Sequence, residues 1–85
     1  MNLCKNPKCI FKFVDNTGVI LEPENGKFIE LNETASFIWN LLDEEETYEG
    51  IYSKTKEKFN VTTDVERQIN EFLKTAIKAN IVQEI

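Results

Sequence analysis

The sequence predicts an α+β domain of winged-helix-like architecture, a three-stranded antiparallel sheet followed by three α-helices. Three observations carry this. Turn residues at 15–18 and 23–26 cut the first third of the chain into short apolar runs, the pattern of a meander of strands joined by tight turns. From residue 33 onward, apolar residues recur at helical spacing in three separate runs. Between the halves, Leu31 is followed at once by Asn32-Glu33, leaving no loop, so the last strand hands over directly to the first helix.

The chain has 85 residues, which fits one domain over 1–85 with a small core. Residues 1–8, with the turn signal Asn6-Pro7, are expected to be irregular. The first strand is 9–14, where Ile10, Phe11, Phe13 and Val14 supply aromatic and β-branched side chains. Asp15-Asn16-Thr17-Gly18 is turn chemistry, with Gly18 free to take positive φ. The second strand covers 19–22 and stops at Pro23, which cannot donate to a ladder. Asn25-Gly26 is a two-residue hairpin signal, because both residues tolerate positive φ. The third strand, 27–31, points Ile29 and Leu31 to one face and Phe28 and Glu30 to the other. A sheet this small needs helices on one face.

Asn32 fits a helix N-cap, its side-chain oxygen accepting from the amides of Thr34 or Ala35, and Glu33 suits the positive end of the dipole. The first helix runs over 33–42, with Ala35, Ile38, Trp39 and Leu42 as one buried stripe and Trp39 as its core anchor. Asp43-Glu44-Glu45-Glu46 is an acidic, solvated break. Thr47 caps the second helix, 48–59, whose apolar-leaning face is Ile51, Tyr52, Thr55 and Phe59. Gly50 inside it costs up to ~1 kcal/mol relative to alanine. After a connector at 60–62, Thr63 or Asp64 caps the third helix, and Glu66 completes a capping box with Thr63. Val65, Ile69, Phe72, Leu73 and Ala76 keep helical spacing through it. Asn80 supplies the left-handed residue that ends it, and Ile81-Val82 folds back as an apolar tail.

Net charge is −5 and unevenly spread: residues 1–31 hold four basic and four acidic residues, residues 32–85 six basic and eleven acidic. A nucleic-acid binder needs a basic face, so the acidic helical half argues against that class. No apolar run is long enough to span a membrane, and the first residues lack the apolar core of a signal peptide, so a cytoplasmic protein is expected. Cys4 and Cys9 form a C-x4-C pair in a chain without histidine. They read as free thiols, and no metal is expected there. The same lack of histidine removes the usual proton shuttle. The glycines at 18, 26 and 50 are spaced for turns and a helix, not for cradling phosphate. No catalytic residue and no cofactor are assigned, which leaves binding. The third strand lies at an edge of the meander, with main-chain groups free to pair with an added strand.

The hairpin glycine Gly26, a strand ending in Leu31-Asn32, then Glu33-Thr34-Ala35 and the pair Ile38-Trp39 resemble the PqqD-like family. Its members are the peptide-binding domains called RiPP recognition elements, which serve the biosynthesis of ribosomally made, modified peptides. The resemblance runs from about Ile10 to Val82. It departs from the family where Glu44 replaces the glycine of an Asp-Gly that usually ends the first helix. It implies that a precursor's leader segment pairs antiparallel to the third strand and lies against the third helix. On this chain that means Lys27, Phe28, Ile29, Glu30 and Leu31 on the strand, and Val65, Arg67, Gln68, Ile69, Phe72 and Leu73 on the helix. The family commonly has an acid where Gln68 stands. The implied partners are the leader peptide and a modifying enzyme, such as a radical SAM protein or a leader peptidase. Packing offers a plainer role for several of these positions: Leu31, Ile69 and Leu73 as core, one of Phe28 and Ile29 turned to the helices, and Arg67 as a solvated cation or a contact to an acidic leader. The rival reading is a winged-helix regulatory or adaptor protein that binds nucleic acid or another protein.

Overall fold

A computed structural model describes residues 2–15, 17–22, 24–44, 47–59 and 63–85, Thr63 in its backbone alone. The elements are β1 (Leu3–Lys5), β2 (Ile10–Val14), β3 (Thr17–Glu22), β4 (Lys27–Leu31), α1 (Glu33–Leu41), α2 (Tyr48–Phe59), α3 (Thr63–Lys78) and β5 (Val82–Glu84). Strands β2, β3 and β4 form the expected antiparallel meander in that order, with β3 central, and the three helices follow. The core gathers Ile20 and Leu31 from the sheet, Ile38 and Trp39 from α1, Ile51 from α2, and Ile69, Leu73 and Ala76 from α3. Expectations that rest on Met1, Asn16, Pro23, Glu45, Glu46, the connector 60–62 or the Thr63 side chain of the capping box lie outside the described residues.

The two ends of the chain depart from the sequence reading. Within the stretch expected to be irregular, Leu3–Lys5 form a strand while Pro7 and Lys8 turn, and the C-terminal tail is more than an apolar fold-back. β1 pairs antiparallel with β5, Leu3 opposite Glu84 and Lys5 opposite Val82. Leu3, Ile81 and Val82 are all but fully buried, so burying them obliges the intervening backbone to find partners, and each end supplies the other's. Asn6 fixes the junction: its amide donates to the Ile81 carbonyl at 2.9 Å and its side chain donates to the Asn80 carbonyl at 2.8 Å.

Both hairpin turns also differ in detail. The β2–β3 register runs from Ile10 opposite Leu21 to Val14 opposite Thr17, so β3 starts two residues early and Gly18 lies inside it. The positive φ falls on Asp15 instead, at 51°. Gly18 is needed for space: a Cβ there would stand 2.5 Å from the Ser36 hydroxyl and 3.0 Å from the Phe11 ring. The β3–β4 hairpin closes at Glu22 opposite Lys27, a longer loop than the two-residue turn expected. Gly26 takes positive φ, at 66°, and Asn25 does not. The buried Glu22 carboxylate organises this loop, accepting from the amides of Glu24 at 2.6 Å and Asn25 at 3.1 Å.

The strand-to-helix handover forms as the sequence predicts. Asn32 has extended backbone, φ −71° and ψ −179°, and its side chain accepts from the Ala35 amide at 2.8 Å. Leu42 caps the far end of α1. Trp39 is buried and stacks on Phe11 of β2, ring centroids 6.4 Å apart. Thr47 accepts from the Gly50 amide at 3.1 Å to start α2, and Asn80, at φ 61°, ends the α3 segment. Lys56 of α2 and Glu66 of α3 pair at 3.0 Å. That hydrogen bond, joined by one from Tyr52, holds the Glu66 carboxyl below its ordinary range.

Candidate functional site

Because β3 takes both hairpin partners, β4 is left at the sheet edge with no strand on its far side among the described residues. Strand alternation turns Ile29 and Leu31 toward the helices and Phe28 and Glu30 away from them. Beyond that edge lies a groove of about 250 Å³ between β4, the start of α1 and one face of α3. Its apolar lining includes Ile29, Leu31, Ala35, Phe72, Ala76 and Ile81, and its rim carries Gln68, Glu71 and Thr75. An unpaired strand edge beside an apolar trough suits an extended peptide, whose backbone completes the ladder while alternate side chains drop into the trough.

Apart from Arg67, the sequence-derived site residues separate into three groups. Ile29, Leu31, Gln68 and Phe72 come together along this groove, and Glu30, its side chain on the other face, borders it at the strand edge. Val65, Ile69 and Leu73 are buried behind it in the core. Lys27 sits at the hairpin end of β4 and Phe28 on the opposite face of the sheet, 72% exposed. Between Phe28 and Ile29, then, it is Ile29 that faces the helices.

Arg67 stands outside the lining on α3, held by carboxylates of its own helix. Its guanidinium donates to Asp64 at 2.5 Å and to Glu71 at 3.3 Å. The bond to Arg67, with one from Gln68, keeps the Asp64 carboxyl below its ordinary value. Asp64 likewise raises the Arg67 guanidinium. The cation is compensated on the helix surface rather than offered to a ligand.

Sequence reasoning missed Asn32, Ala35, Glu71, Thr75, Ala76 and Ile81 as groove residues. A signal was present for the helix side: Gln68, Glu71 and Thr75 alternate with Phe72 and Ala76 of the apolar stripe at three- and one-residue steps, one band along the helix. A wider hollow of about 740 Å³ lies between α1 and α2, lined by Phe37, Asn40, Leu41, Glu44, Lys54, Glu57 and Lys58. It is the weaker candidate despite its size. Its walls are helices whose main-chain groups are already bonded internally, so it cannot take up a strand.

Cys4 and Cys9 are free thiols. Burial pushes the Cys9 thiol up from its usual value, and the nearby Glu22 and Glu24 add to the shift. Among the described residues no three or more His, Cys, Asp or Glu side chains are placed to hold a metal ion. No helix among them is long and apolar enough to cross a membrane.

The family model for coenzyme PQQ synthesis protein D (PqqD) matches residues 17–82. The chain belongs to the PqqD family. The matched span holds β3, β4, all three helices and the first residue of β5, so it includes every element that lines the groove. Solved structures extend the likeness to nearly the whole of this PqqD-family chain. TbiB1 in complex with the TbiA(beta) leader peptide superposes with a TM-score of 0.79 at 23% identity, covering 96% of each chain. Lasso peptide synthetase B1 complexed with the leader peptide gives a TM-score of 0.75 at 23% identity, covering 96% of this chain and 98% of that one. At such identity the likeness speaks for the fold. No curated protein matches the chain.

Proposed function

We propose that this PqqD-family chain is a RiPP recognition element, a non-catalytic domain over residues 1–85 that captures the leader of a ribosomally made precursor peptide and presents it to a modifying enzyme in the cytoplasm. The observation that carries the reading is the unpaired edge of β4 running along an apolar groove. In support, both structural neighbours are complexes with a leader peptide. The leader adds as a fourth strand beside Lys27–Leu31. Its inward side chains meet Ile29, Leu31 and Phe72, and Gln68 lies at the rim. Val65 and Ile69 serve from behind by fixing α3, and Arg67 stays with its carboxylates. The enzyme is a radical SAM protein, a leader peptidase or a similar tailoring enzyme. Holding the leader raises the effective concentration of the attached core peptide at the enzyme's active site, which increases turnover without chemistry by this chain.

The test is an amide-shift titration with synthetic leaders of short precursors encoded beside this gene. Shifts should gather in Lys27–Leu31 and on α3 from Gln68 to Ala76, and leave α2 quiet. A proline placed in the leader's pairing segment should abolish them, because it removes an amide and crowds the ladder. Shifts centred on α2 or on the loop after α1 would overturn the groove assignment.

A further inference from the structure

The face of the sheet that points away from the helices is apolar and uncovered. The two registers align its residues in rows across the strands: Ile10, Leu21 and Phe28 in one row, Lys12, Val19 and Glu30 in the next. Ile10 is 50% exposed and Phe28 72%, and contiguous exposed apolar side chains are candidates for an interaction surface. Glu30, at the end of the second row, is exposed and makes no ion pair among the described residues. Lys12 is the basic residue of that row but lies two strands away, about 10 Å by the usual strand spacing. Both rows end at the open edge of β4, where a fourth strand would continue them.

We infer that the peptide captured at β4 carries an aromatic or large aliphatic side chain opposite Phe28 and a lysine or arginine opposite Glu30, two residues apart, with an apolar residue between them. This rests on the proposed capture at β4 and deepens it by naming what the peptide must look like. Side chains of adjacent strands on one face pair across the gap, and the pairs that stabilise are apolar with aromatic and charge with opposite charge. The residue between the two points the other way, into the groove beside Ile29. The pattern holds for either strand direction, since alternation does not depend on it. Recognition is therefore two-sided. The groove reads apolar residues on one side of the peptide, and Phe28 with Glu30 reads the alternate residues on the other. Phe28 thus gains a role as a recognition residue although it lies outside the groove.

The charge at the groove rim points the same way. Glu71 lines the rim, and Arg67 is shared between it and Asp64. With Glu30 on the strand, an incoming peptide meets carboxylates on both sides of the edge. A cationic segment is matched by this surface and an acidic one repelled.

The experiment uses the full chain and labelled synthetic decapeptides with valine and threonine at the inward positions. The outward positions carry Lys, Gln or Glu for the Glu30 contact and Tyr or Thr for the Phe28 contact. By fluorescence anisotropy, the Lys peptide should bind about fivefold to tenfold tighter than the Glu peptide, the span expected of one cross-strand charge pair against a like-charge pair. The gap should shrink in high salt. Glu30→Lys should reverse the order, and Phe28→Thr should erase the preference for Tyr over Thr while leaving the charge preference. Both positions are exposed, and circular dichroism confirms that each variant is folded. A Lys-over-Glu preference that survives Glu30→Lys unchanged overturns the inference while capture at β4 stands. Binding by no peptide, or amide shifts away from β4, removes the capture reading and the inference with it. A dimer formed through β4, seen by sedimentation, also overturns it by giving the edge to a second copy.

Discussion

On the face of the sheet that meets the helices, Ile20 is fully buried and Leu31 nearly so, whereas on the other face Ile10, Val14 and Phe28 keep half or more of their surface in water. The two faces are built from similar side chains. At Asn32 the chain turns from β4 into α1 on the side that carries the helices. Hydrophobicity alone therefore does not assign a face to the core here. The placement of the helices does, and the apolar face left over is available for recognition.

The comparison is broken most severely from the inner side. Trp39 lies under the sheet against Phe11, with the Lys5 ammonium 4.8 Å from its ring. Trp39→Ala should lower stability by about 3–5 kcal/mol, the cost of emptying a packed aromatic site. A urea titration that shows little change would mean the ring is not part of the core.

A smaller inner-face effect is expected at Gly18. Alanine there drives a methyl into the Ser36 hydroxyl and the Phe11 ring, and such overpacking costs about 1–3 kcal/mol. The serine can give way more easily than the ring. Gly18→Ala in a Ser36→Ala background should accordingly lose less than the single change, a coupling that a double-mutant cycle reads directly. Additive losses would place the strain on Phe11 alone.

Asn32→Ala should cost about 1 kcal/mol by freeing the Ala35 amide. Because the cap also sets where the helices cross the sheet, the loss should come with broadened amide signals for Ile29 and Leu31 on the inner face and unchanged ones for Val19 on the outer. An unchanged midpoint would show that the handover does not depend on the cap.

These residues also mark what was legible in the sequence. The three strands of the meander, the three helices, the Asn32 cap and the shared face of Ile29 and Leu31 are written in neighbouring residues: turn chemistry, capping and period. The edge position of β4 follows from the order of two hairpins. What was not legible depends on distant parts of the chain. Leu3 pairs its strand with residues some eighty positions away, and three-residue strands carry no period to read. The reason for Gly18 is Ser36, on a helix not yet formed when the strand is read. Arg67 is a different case: read as a solvated cation or a leader contact, it has partners three and four residues away, Asp64 and Glu71, at spacings that a predicted helix already brings together. The groove wall of Glu71 and Thr75 carried a signal in its spacing but went unread, because polar residues beside a core stripe read as solvent-facing until something is seen opposite them.

The outer face offers the gentlest and most specific way to sharpen the contrast. Phe28→Thr removes a large apolar side chain from a site where it touches little, and it puts a β-branched residue that suits a strand in its place. Stability should stay within about 0.5 kcal/mol of the parent, as for other surface changes, in opposition to the several kcal/mol expected at Trp39. The test lies in pairing that null effect on folding with a loss of peptide discrimination at the same position. If chemical denaturation shows Phe28→Thr to be as costly as an inner-face change, the outer face is itself packed by the chain and cannot be the surface that reads a peptide. If stability holds and discrimination falls, the exposed aromatic is kept for binding, and the two faces of one small sheet divide folding from recognition.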